Sequence, residues 1–336
     1  MTFLTQLINH RGAWLLGVVL LAEGMLSAAD SAQLVEVRKI WDQAPHNAFT
    51  DLVRFQDRWF CVFREGRAHV SPDGALRVIT SRDGRTWESS ALLTSPTSDL
   101  RDAKLTVTPG GELMLAGAEA ISEGSTKTHQ SLAWFSRDGQ NWGERGEIGD
   151  RNFWLWRVTW HQGTAYSIGY GCGPEEGTIR LYQSRDGRRF DTLVKQLSPT
   201  GYPNETSLVF SGETALCLLR QDGTSPNALL GSAQPPYTDW AWRDLGVRIG
   251  GPHLLPLPDG RFVAAVRLHD GGVRTALAWL DTQSGRLTEF LKLPSGGDTS
   301  YAGLVWHEGL LWVSYYSSHE GRTAIYLASV KLPPKP

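Results

Sequence analysis

A seven-residue turn motif, S-x-D-G-x-x-[W/F], recurs along the chain and constrains the fold more than any other feature. It occurs at residues 81–87, 136–142 and 184–190, with offsets of 55 and 48 residues. A degenerate copy follows after another 48 residues, at 232–240, and a further one lies near 280–285. A fixed period of this length indicates that one supersecondary unit is repeated around a common core.

The residue types of the motif suit a tight turn at the end of a strand. Aspartate accepts hydrogen bonds from backbone N–H groups of its own turn, and glycine adopts the positive φ that the turn needs. The final aromatic side chain fills the gap between neighbouring sheets. We therefore predict that Asp83, Asp138 and Asp186 hold turns and take no part in catalysis.

Each repeat contains the pattern of four short strands. A glycine-containing hairpin precedes every turn motif, as residues 107–115 and 257–263 show. Four strands in roughly 40–50 residues form one blade of a β-propeller. Blades counted from residue 45 to 332 number six. We predict an all-β, six-bladed β-propeller with four antiparallel strands per blade, folded as a single domain over residues 30–336.

One strand-like segment, residues 34–40, precedes the first blade. We predict that it pairs with residues 323–331 of the last blade and closes the ring. The composition agrees with this architecture, because 14 Trp, 36 Gly and 17 Pro indicate many short strands joined by tight turns.

Residues 1–29 have the pattern of a signal peptide. An apolar run over 15–26 is followed by the small residues Ser27, Ala28 and Ala29, which suit a signal peptidase. The run is shorter than the roughly 20 apolar residues that span a bilayer. We expect cleavage after Ala29 and a secreted or periplasmic protein with no membrane attachment.

Charge and cysteine content limit the partners. A formal net charge of −2 gives no reason to propose nucleic acid. Of the three cysteines, Cys61 and Cys217 lie in apolar, strand-like runs and are predicted to be buried thiols. No metal-ligand spacing is evident, so we expect no metal. We also expect no cofactor and a monomeric protein.

The predicted propeller places chemically active side chains in one pocket. Residues just before the first strand of each blade should converge at the central axis. Two residues from each blade hold these positions: Thr50 and Asp51, Arg101 and Asp102, Trp156 and Arg157, Asn204 and Glu205, Pro252 and His253, Ser300 and Tyr301. The ends of the second strands add a further set: Arg64 and Glu65, Arg220, Arg267, Tyr315 and Tyr316.

Charged groups in a shared concave site lose hydration, which is costly unless they bind a ligand. Arginine grips carboxylates through a bidentate fork. We therefore predict that the arginines of this ring, with Asp51 and His253, bind an anionic ligand such as an acidic sugar.

Several stretches resemble sialidases, and the resemblance covers about residues 34–332. Residues 204–209, followed by Arg220, resemble the segment that supplies the carboxylate partner of the nucleophile and then a substrate-binding arginine. Residues 299–304 resemble the segment that carries the nucleophilic tyrosine. Residues 63–67 resemble the F-x-E-G-R stretch of the first blade, which contains Arg64 and Glu65.

The resemblance implies a tyrosine nucleophile, Tyr301, with Glu205 as its partner. Sialidases use tyrosine in place of a carboxylate, since a neutral phenol does not repel an anionic substrate and a glutamate can take its proton. Arg274 falls where another arginine of the sialidase triad is expected, although the strand count favours Arg267.

A general acid must also protonate the leaving oxygen. Sialidases keep a catalytic aspartate in the loop that corresponds to residues 68–74, which offers Asp73 and His69. Asp51 and Asp102 of the central ring are the alternatives.

The chain departs from the sialidase pattern in its first blade. Residues 46–52 contain no arginine, whereas sialidases begin this blade with one. Arg64 or Arg157 could supply its charge, and the resemblance is to an atypical member of the superfamily.

Three functions follow. The first is a secreted exo-acting glycoside hydrolase that releases a terminal acidic sugar, sialic acid or a relative, through Tyr301. The second is a uronic acid hydrolase or lyase on the same scaffold, with His253 and His69 available to move protons. The third is a carbohydrate-binding propeller without catalysis, in which Trp154, Trp156 and Tyr170 stack on sugar rings.

Overall fold

The computed structural model describes residues 31–123, 126–197 and 201–335. The predicted signal peptide lies outside these residues. The strands, in chain order, are β1 (Gln33–Trp41), β2 (His46–Phe55), β3 (Arg58–Gly66), β4 (Ala75–Ser81), β5 (Glu88–Leu93), β6 (Ser98–Val107), β7 (Leu113–Glu123), β8 (Thr126–Ser136), β9 (Gly146–Ile148), β10 (Phe153–Leu155), β11 (Thr159–His161), β12 (Thr164–Gly171), β13 (Ile179–Ser184), β14 (Asp191–Val194), β15 (Tyr202–Ser211), β16 (Thr214–Asp222), β17 (Asn227–Ala233), β18 (Ala241–Pro256), β19 (Phe262–Leu268), β20 (Arg274–Asp281), β21 (Arg286–Lys292), β22 (Thr299–His307), β23 (Leu310–Ser317) and β24 (Ala324–Lys331).

The strands are antiparallel and pair in sequence order, as hairpins do. Group 1 is β2-β3-β4-β5, group 2 is β6-β7-β8-β9, and group 3 is β10 to β14. The long strand β18 pairs with β17 through its first half and with β19 through its second half. Its first half is the last strand of group 4, after β15, β16 and β17, and its second half is the first strand of group 5, before β19, β20 and β21. Group 6 is β22-β23-β24.

Strand β1 pairs with β24, from Gln33 opposite Lys331 to Trp41 opposite Ile325. The predicted pairing of the N-terminal strand with the last repeat is therefore present. Within the described ranges, the other regular element is the short 3-10 helix Gly173–Glu175. None of the described residues forms a helix long and apolar enough to cross a membrane.

The repeated turn has the hydrogen bonds that its residue types predict. Asp83 Oδ1 accepts the backbone N–H groups of Arg85 at 2.8 Å and Thr86 at 2.9 Å. The backbone hydrogen bond from Thr86 is the largest cause that lowers the pKa of Asp83 to about 2. Asp138 and Asp186 accept the equivalent pairs of N–H groups. The three aspartates hold turns.

Buried apolar clusters join consecutive groups. Leu76 of group 1 packs in one cluster with Leu115 of group 2, and Phe63 of group 1 shares another with Ile325 of group 6. Full burial of a side chain of this size contributes about 1.5–3 kcal/mol. Cys61 and Cys217 lie within such clusters, and burial raises the pKa of both thiols.

The first strands of all six groups also line one central cavity of about 770 Å³. Its walls are largely aliphatic and include Leu105, Val158 and Leu304. Asp51, Arg157 and His253 also contribute to its walls.

Candidate active site

A break in regular pairing recurs in the first strand of every group. In five groups it is a β-bulge, where two residues oppose one on the neighbouring strand. The bulges lie between Ala48 and Asp51, Arg101 and Lys104, Pro203 and Thr206, Gly250 and His253, Ser300 and Gly303. In group 3 the strand is interrupted instead, between β10 and β11. The ring residues predicted from the sequence sit at these breaks, inside or between strands, and the expectation that they precede the strands is wrong.

The bulges force unusual backbone conformations. Phe49 has φ 63°, Asp102 has φ 50° and Tyr301 has φ 50°. A left-handed conformation costs a residue with a Cβ roughly 1–2 kcal/mol, and for a bulky residue it is a real outlier. Bulges occur next to active sites because they re-aim side chains. Here Phe49 packs against the ring of Tyr301, and the charge of Asp102 acts on its phenol.

Tyr301, Glu205 and Arg220 form the centre of the site. The Tyr301 hydroxyl donates to Glu205 Oε1 at 2.6 Å. Arg220 Nη1 donates to the same oxygen at 2.7 Å and to the Tyr301 hydroxyl oxygen at 3.1 Å. Tyr301 is 8% exposed and Glu205 6% exposed, so the three groups interact largely shielded from water.

The partners of this triad hold it in place. Glu205 Oε2 accepts the backbone N–H of Gly251 at 2.8 Å. Arg220 Nη2 donates to both carboxylate oxygens of Asp222. Burial and the neighbouring charge of Glu205 raise the pKa of Tyr301. The phenol is therefore protonated, and its proton points to a carboxylate.

Arg267 lies on the other side of Tyr301. Its guanidinium carbon is 5.1 Å from the centre of the Tyr301 ring. Its Nε and Nη2 donate to the carbonyl oxygen of Thr299, and Nη2 also donates to the Tyr316 hydroxyl at 3.0 Å. Nη1 has no hydrogen-bond partner among the described residues, so this edge of the guanidinium remains available to a ligand.

Asp102 is a buried carboxyl group with spare bonding capacity. It is 6% exposed, and its Oδ1 is buried without a hydrogen-bond partner among the described residues. Burial raises the pKa of Asp102, and this effect exceeds the lowering by the positive charges of Arg101 and Lys104. A carboxyl group whose protonated form is favoured can act as an acid.

Aromatic rings form the wall around Tyr301. The ring centres of Phe49, Trp156 and Tyr316 lie 5.1, 5.8 and 6.0 Å from that of Tyr301. Trp154 stacks on Tyr170 at 5.9 Å with 10° between the planes. Phe49 and Trp156 are 2% exposed and Tyr316 is 0% exposed, so these rings hold the Tyr301 ring in position. Sequence reasoning misses Phe49 because it reads as an ordinary strand residue.

A second charged layer lies below, against the central cavity. Arg157 Nη1 donates to both oxygens of Asp51 at 3.1 Å, and His253 Nδ1 is 3.9 Å from Asp51. Burial, followed by the charge of Arg157, lowers the pKa of His253 to about 3, so this imidazole is neutral. The predicted ring residues Asp51, Arg157 and His253 pair with one another below the level of Tyr301.

Lys104 belongs to this layer, and sequence reasoning misses it. It is 3% exposed and its Nζ lies 4.9 Å from the ring centre of Trp156. Burial and the nearby Arg157 lower its pKa to about 8. The sequence does contain a signal, since a lysine inside the apolar run of a first strand is unusual.

Three of the predicted substrate-binding residues form hydrogen bonds and ion pairs with other residues of the protein, and two of the three lie on β3. Arg64 is 0% exposed, and its guanidinium is bound by Asp99 and by acceptors of the loop that follows β3. Glu65 accepts hydrogen bonds from Trp41 and Arg77. Both side chains therefore have structural partners, and Arg64 has no exposed face left for a ligand.

Arg274, the third, lies elsewhere. It begins β20, the third strand of its group, and pairs with Glu289 of β21 and with Asp270. These strands lie two and three places outward from the axis. The strand count, which favours Arg267 over Arg274, gives the correct position.

Asp73 and His69 lie on the loop between β3 and β4, at the rim. The Asp73 carboxylate accepts the backbone N–H of Arg67 and pairs with the Arg67 guanidinium. A hydrogen bond from Ser71 lowers the pKa of Asp73. His69 is half-exposed and bonds Asp298. Arg101 donates to the His69 carbonyl oxygen and to Asp99, which ties this rim to group 2.

Comparison with models of known protein families gives no match, and neither does comparison with curated protein sequences. Solved structures do match. A Dyadobacter fermentans protein of unknown function superposes with a TM-score of 0.80 at 18% identity, over 90% of this chain and 99% of that one.

Two enzymes of known activity are also similar. The GH93 α-L-arabinofuranosidase of Fusarium graminearum has a TM-score of 0.69 at 12% identity, with 89% of this chain and 98% of that one covered. Trypanosoma rangeli sialidase has a TM-score of 0.65 at 11% identity, over 85% of this chain. The chain spans 55% of the length of that sialidase. The chain therefore shares its fold with these two enzymes.

Proposed function

We propose that the protein is a secreted, exo-acting retaining glycoside hydrolase that releases a terminal acidic sugar, with Tyr301 as its nucleophile. The observation that carries the proposal is the 2.6 Å hydrogen bond from the Tyr301 hydroxyl to Glu205, with Arg220 bonded to both. A buried tyrosine aligned on a carboxylate is the arrangement that activates a phenol.

In the first step, the Tyr301 oxygen attacks the anomeric carbon while its proton passes to Glu205. Asp102 donates a proton to the glycosidic oxygen, and the bond from that oxygen to the anomeric carbon breaks. In the second step, water attacks the anomeric carbon of the tyrosyl intermediate and gives a proton to the Asp102 carboxylate. The Tyr301 oxygen leaves and recovers its proton from Glu205.

Asp102 suits the acid role better than Asp73. A general acid must hold its proton at the working pH, and burial raises the pKa of Asp102 whereas hydrogen bonding lowers that of Asp73. The oxygen Asp102 Oδ1 is buried and has no hydrogen-bond partner among the described residues, so no other side chain there competes for its proton.

The arginines support an acidic substrate. Arg220 and Arg267 flank Tyr301, and Arg267 retains unbonded N–H donors. A substrate carboxylate would take these donors as charge-assisted hydrogen bonds.

The proposal includes a closed ring of six blades. It is supported by the clusters that join consecutive groups, including groups 6 and 1, by the cavity that all six first strands line, and by the pairing of β1 with β24. Secretion rests on the signal-peptide pattern of residues 1–29.

A panel of fluorogenic glycosides tests the function. It should contain sialic acid, uronic acids and, because of the structural likeness to an arabinofuranosidase, arabinofuranose. We expect release from an acidic glycoside. A fluorinated form of that sugar, which slows breakdown of the intermediate, should label the peptide that contains Tyr301. Turnover with the label on another residue would refute the nucleophile, and release from the neutral glycoside alone would refute the acidic substrate.

A further inference from the structure

Two histidines and an aspartate converge beside Phe49 and Tyr316. His46 begins β2, His69 lies on the loop after β3, and Asp298 directly precedes β22. His46 Nε2 is 3.1 Å and His69 Nδ1 is 2.7 Å from the same oxygen, Asp298 Oδ2. The three ligand atoms lie within 4.8 Å of one another. We propose that these side chains bind a divalent transition metal ion of the zinc class.

The chemistry of the donors selects the metal. Imidazole nitrogens with one carboxylate suit zinc, copper and nickel, whereas calcium and magnesium prefer an all-oxygen shell. Three protein ligands leave a coordination position for water or another small ligand. His69 is 50% exposed, so solvent reaches the cluster.

The spacing is close to what zinc requires. Ligand atoms of a tetrahedral zinc site lie about 3.3 Å apart, given bonds of roughly 2.0–2.1 Å. The distance between His46 and Asp298 is already near this value at 3.1 Å. The distance of 2.7 Å between His69 and Asp298 must widen by about half an ångström, and His69 is on an exposed loop that can shift.

The other two ligands are held in position. Asp298 Oδ1 accepts the Tyr316 hydroxyl at 2.7 Å, and its backbone N–H donates to Ser318 Oγ at 2.9 Å. His46 is 8% exposed and packs against Phe49. Support of this kind orients metal ligands before the ion arrives.

One nearby charge limits the affinity. Arg267 Nη2 is 3.6 Å from Asp298 Oδ1, so it competes with the ion for the carboxylate. We therefore expect weaker binding than the same three ligands would give without this arginine. The ion would therefore lie beside Arg267, which also contacts the ring of Tyr301. The proposed hydrolysis does not require the metal.

Calorimetric titration of the chelator-treated, purified protein with Zn²⁺ tests the site, with Ca²⁺ as the metal control. One equivalent of Zn²⁺ should bind, and Ca²⁺ should not. His69→Gln and Asp298→Asn should each weaken binding at least ten-fold. His69 is half-exposed, so its replacement leaves the fold intact.

His307→Gln is the matched control variant, because His307 also lies beside a carboxylate, 3.5 Å from Glu308, but far along β22. It should bind Zn²⁺ as the unmodified protein does. Absence of binding, or equal affinity in His69→Gln and His307→Gln, would show a hydrogen-bonded cluster only. No substrate is present in the titration, so its outcome is independent of the proposed hydrolase activity.

Discussion

The phenol oxygen of Tyr301 lies 2.6 Å from Glu205 Oε1, although 96 residues separate the two in the chain. They belong to groups 6 and 4, and each lies at the bulge of its first strand. The contact therefore depends on how the groups pack against one another and on the bulges that turn both side chains to the same point.

Tyr301→Phe should abolish hydrolysis and preserve binding. The substitution removes one oxygen and leaves the ring packed against Phe49 and Trp156. We expect a loss in kcat of at least about 10³-fold, since no nucleophile remains, with the Kd for the released sugar changed by less than about three-fold. Steady-state kinetics and calorimetric titration measure the two quantities. Turnover close to that of the unmodified protein would eliminate the tyrosyl mechanism.

Asp102→Asn should affect substrates according to their leaving group. An acid is functional only while protonated, so activity that depends on Asp102 is present below its pKa and lost as the pH rises through it. Because that pKa is raised, the loss should fall above the usual range of a carboxyl group. The variant should lose about 10²–10⁴-fold on a glycan and little on an aryl glycoside whose leaving group needs no proton.

The pH profile of kcat/KM provides the control for this prediction. Asp102→Asn should lack the alkaline limb, and Asp73→Asn should keep both the limb and the rate within about two-fold. The reverse result would assign the acid to the loop between β3 and β4, where the sialidase resemblance places it.

The sequence predicts the strand groups well because the turn motif is local. An aspartate that caps its own turn needs nothing distant, and its spacing fixes where each repeat begins. The ring positions follow from that spacing, which is why Glu205, Arg220 and Tyr301 can all be found from the sequence. Roles that depend on long-range packing are harder to predict.

Arg64 and Arg267 show this difference. They occupy the same register, opposite Ala48 and Gly250 at the edge of a bulge. A loop folds over Arg64 and buries it, whereas Arg267 keeps a free edge. The strand register of both arginines can be predicted from the sequence repeat, whereas the path of the loop that buries Arg64 cannot.

The buried pair of Asp51 and Arg157 should contribute strongly to stability. Asp51 is 1% exposed and also accepts the backbone N–H of Leu105 at 2.8 Å. Asp51→Ala would leave a buried arginine without its counter-charge, and we expect a loss of about 3–5 kcal/mol in the free energy of unfolding. Urea denaturation at neutral pH measures it.

Two further variants check the physical cause. Glu88→Ala removes a partner of Arg58 at the surface and should cost less than about 1 kcal/mol. The double variant with Asp51→Leu and Arg157→Met should recover part of the loss, because neither member of the pair then remains as an uncompensated buried charge. An equal loss in Asp51→Ala and Glu88→Ala would contradict the argument.

Gly139→Ala should destabilise the protein through the contact between consecutive groups. Gly139 has φ 71°, and a Cβ atom there would overlap the ring of Phe60 in the preceding group. The left-handed backbone costs roughly 1–2 kcal/mol and the overlap another 1–3 kcal/mol or so. Gly111 has φ 76°, and a Cβ atom there would meet no heavy atom within 4 Å, so Gly111→Ala should show the backbone cost alone. Thermal or urea unfolding of both variants separates the two contributions, and equal losses would mean that the turn of group 2 does not pack against Phe60.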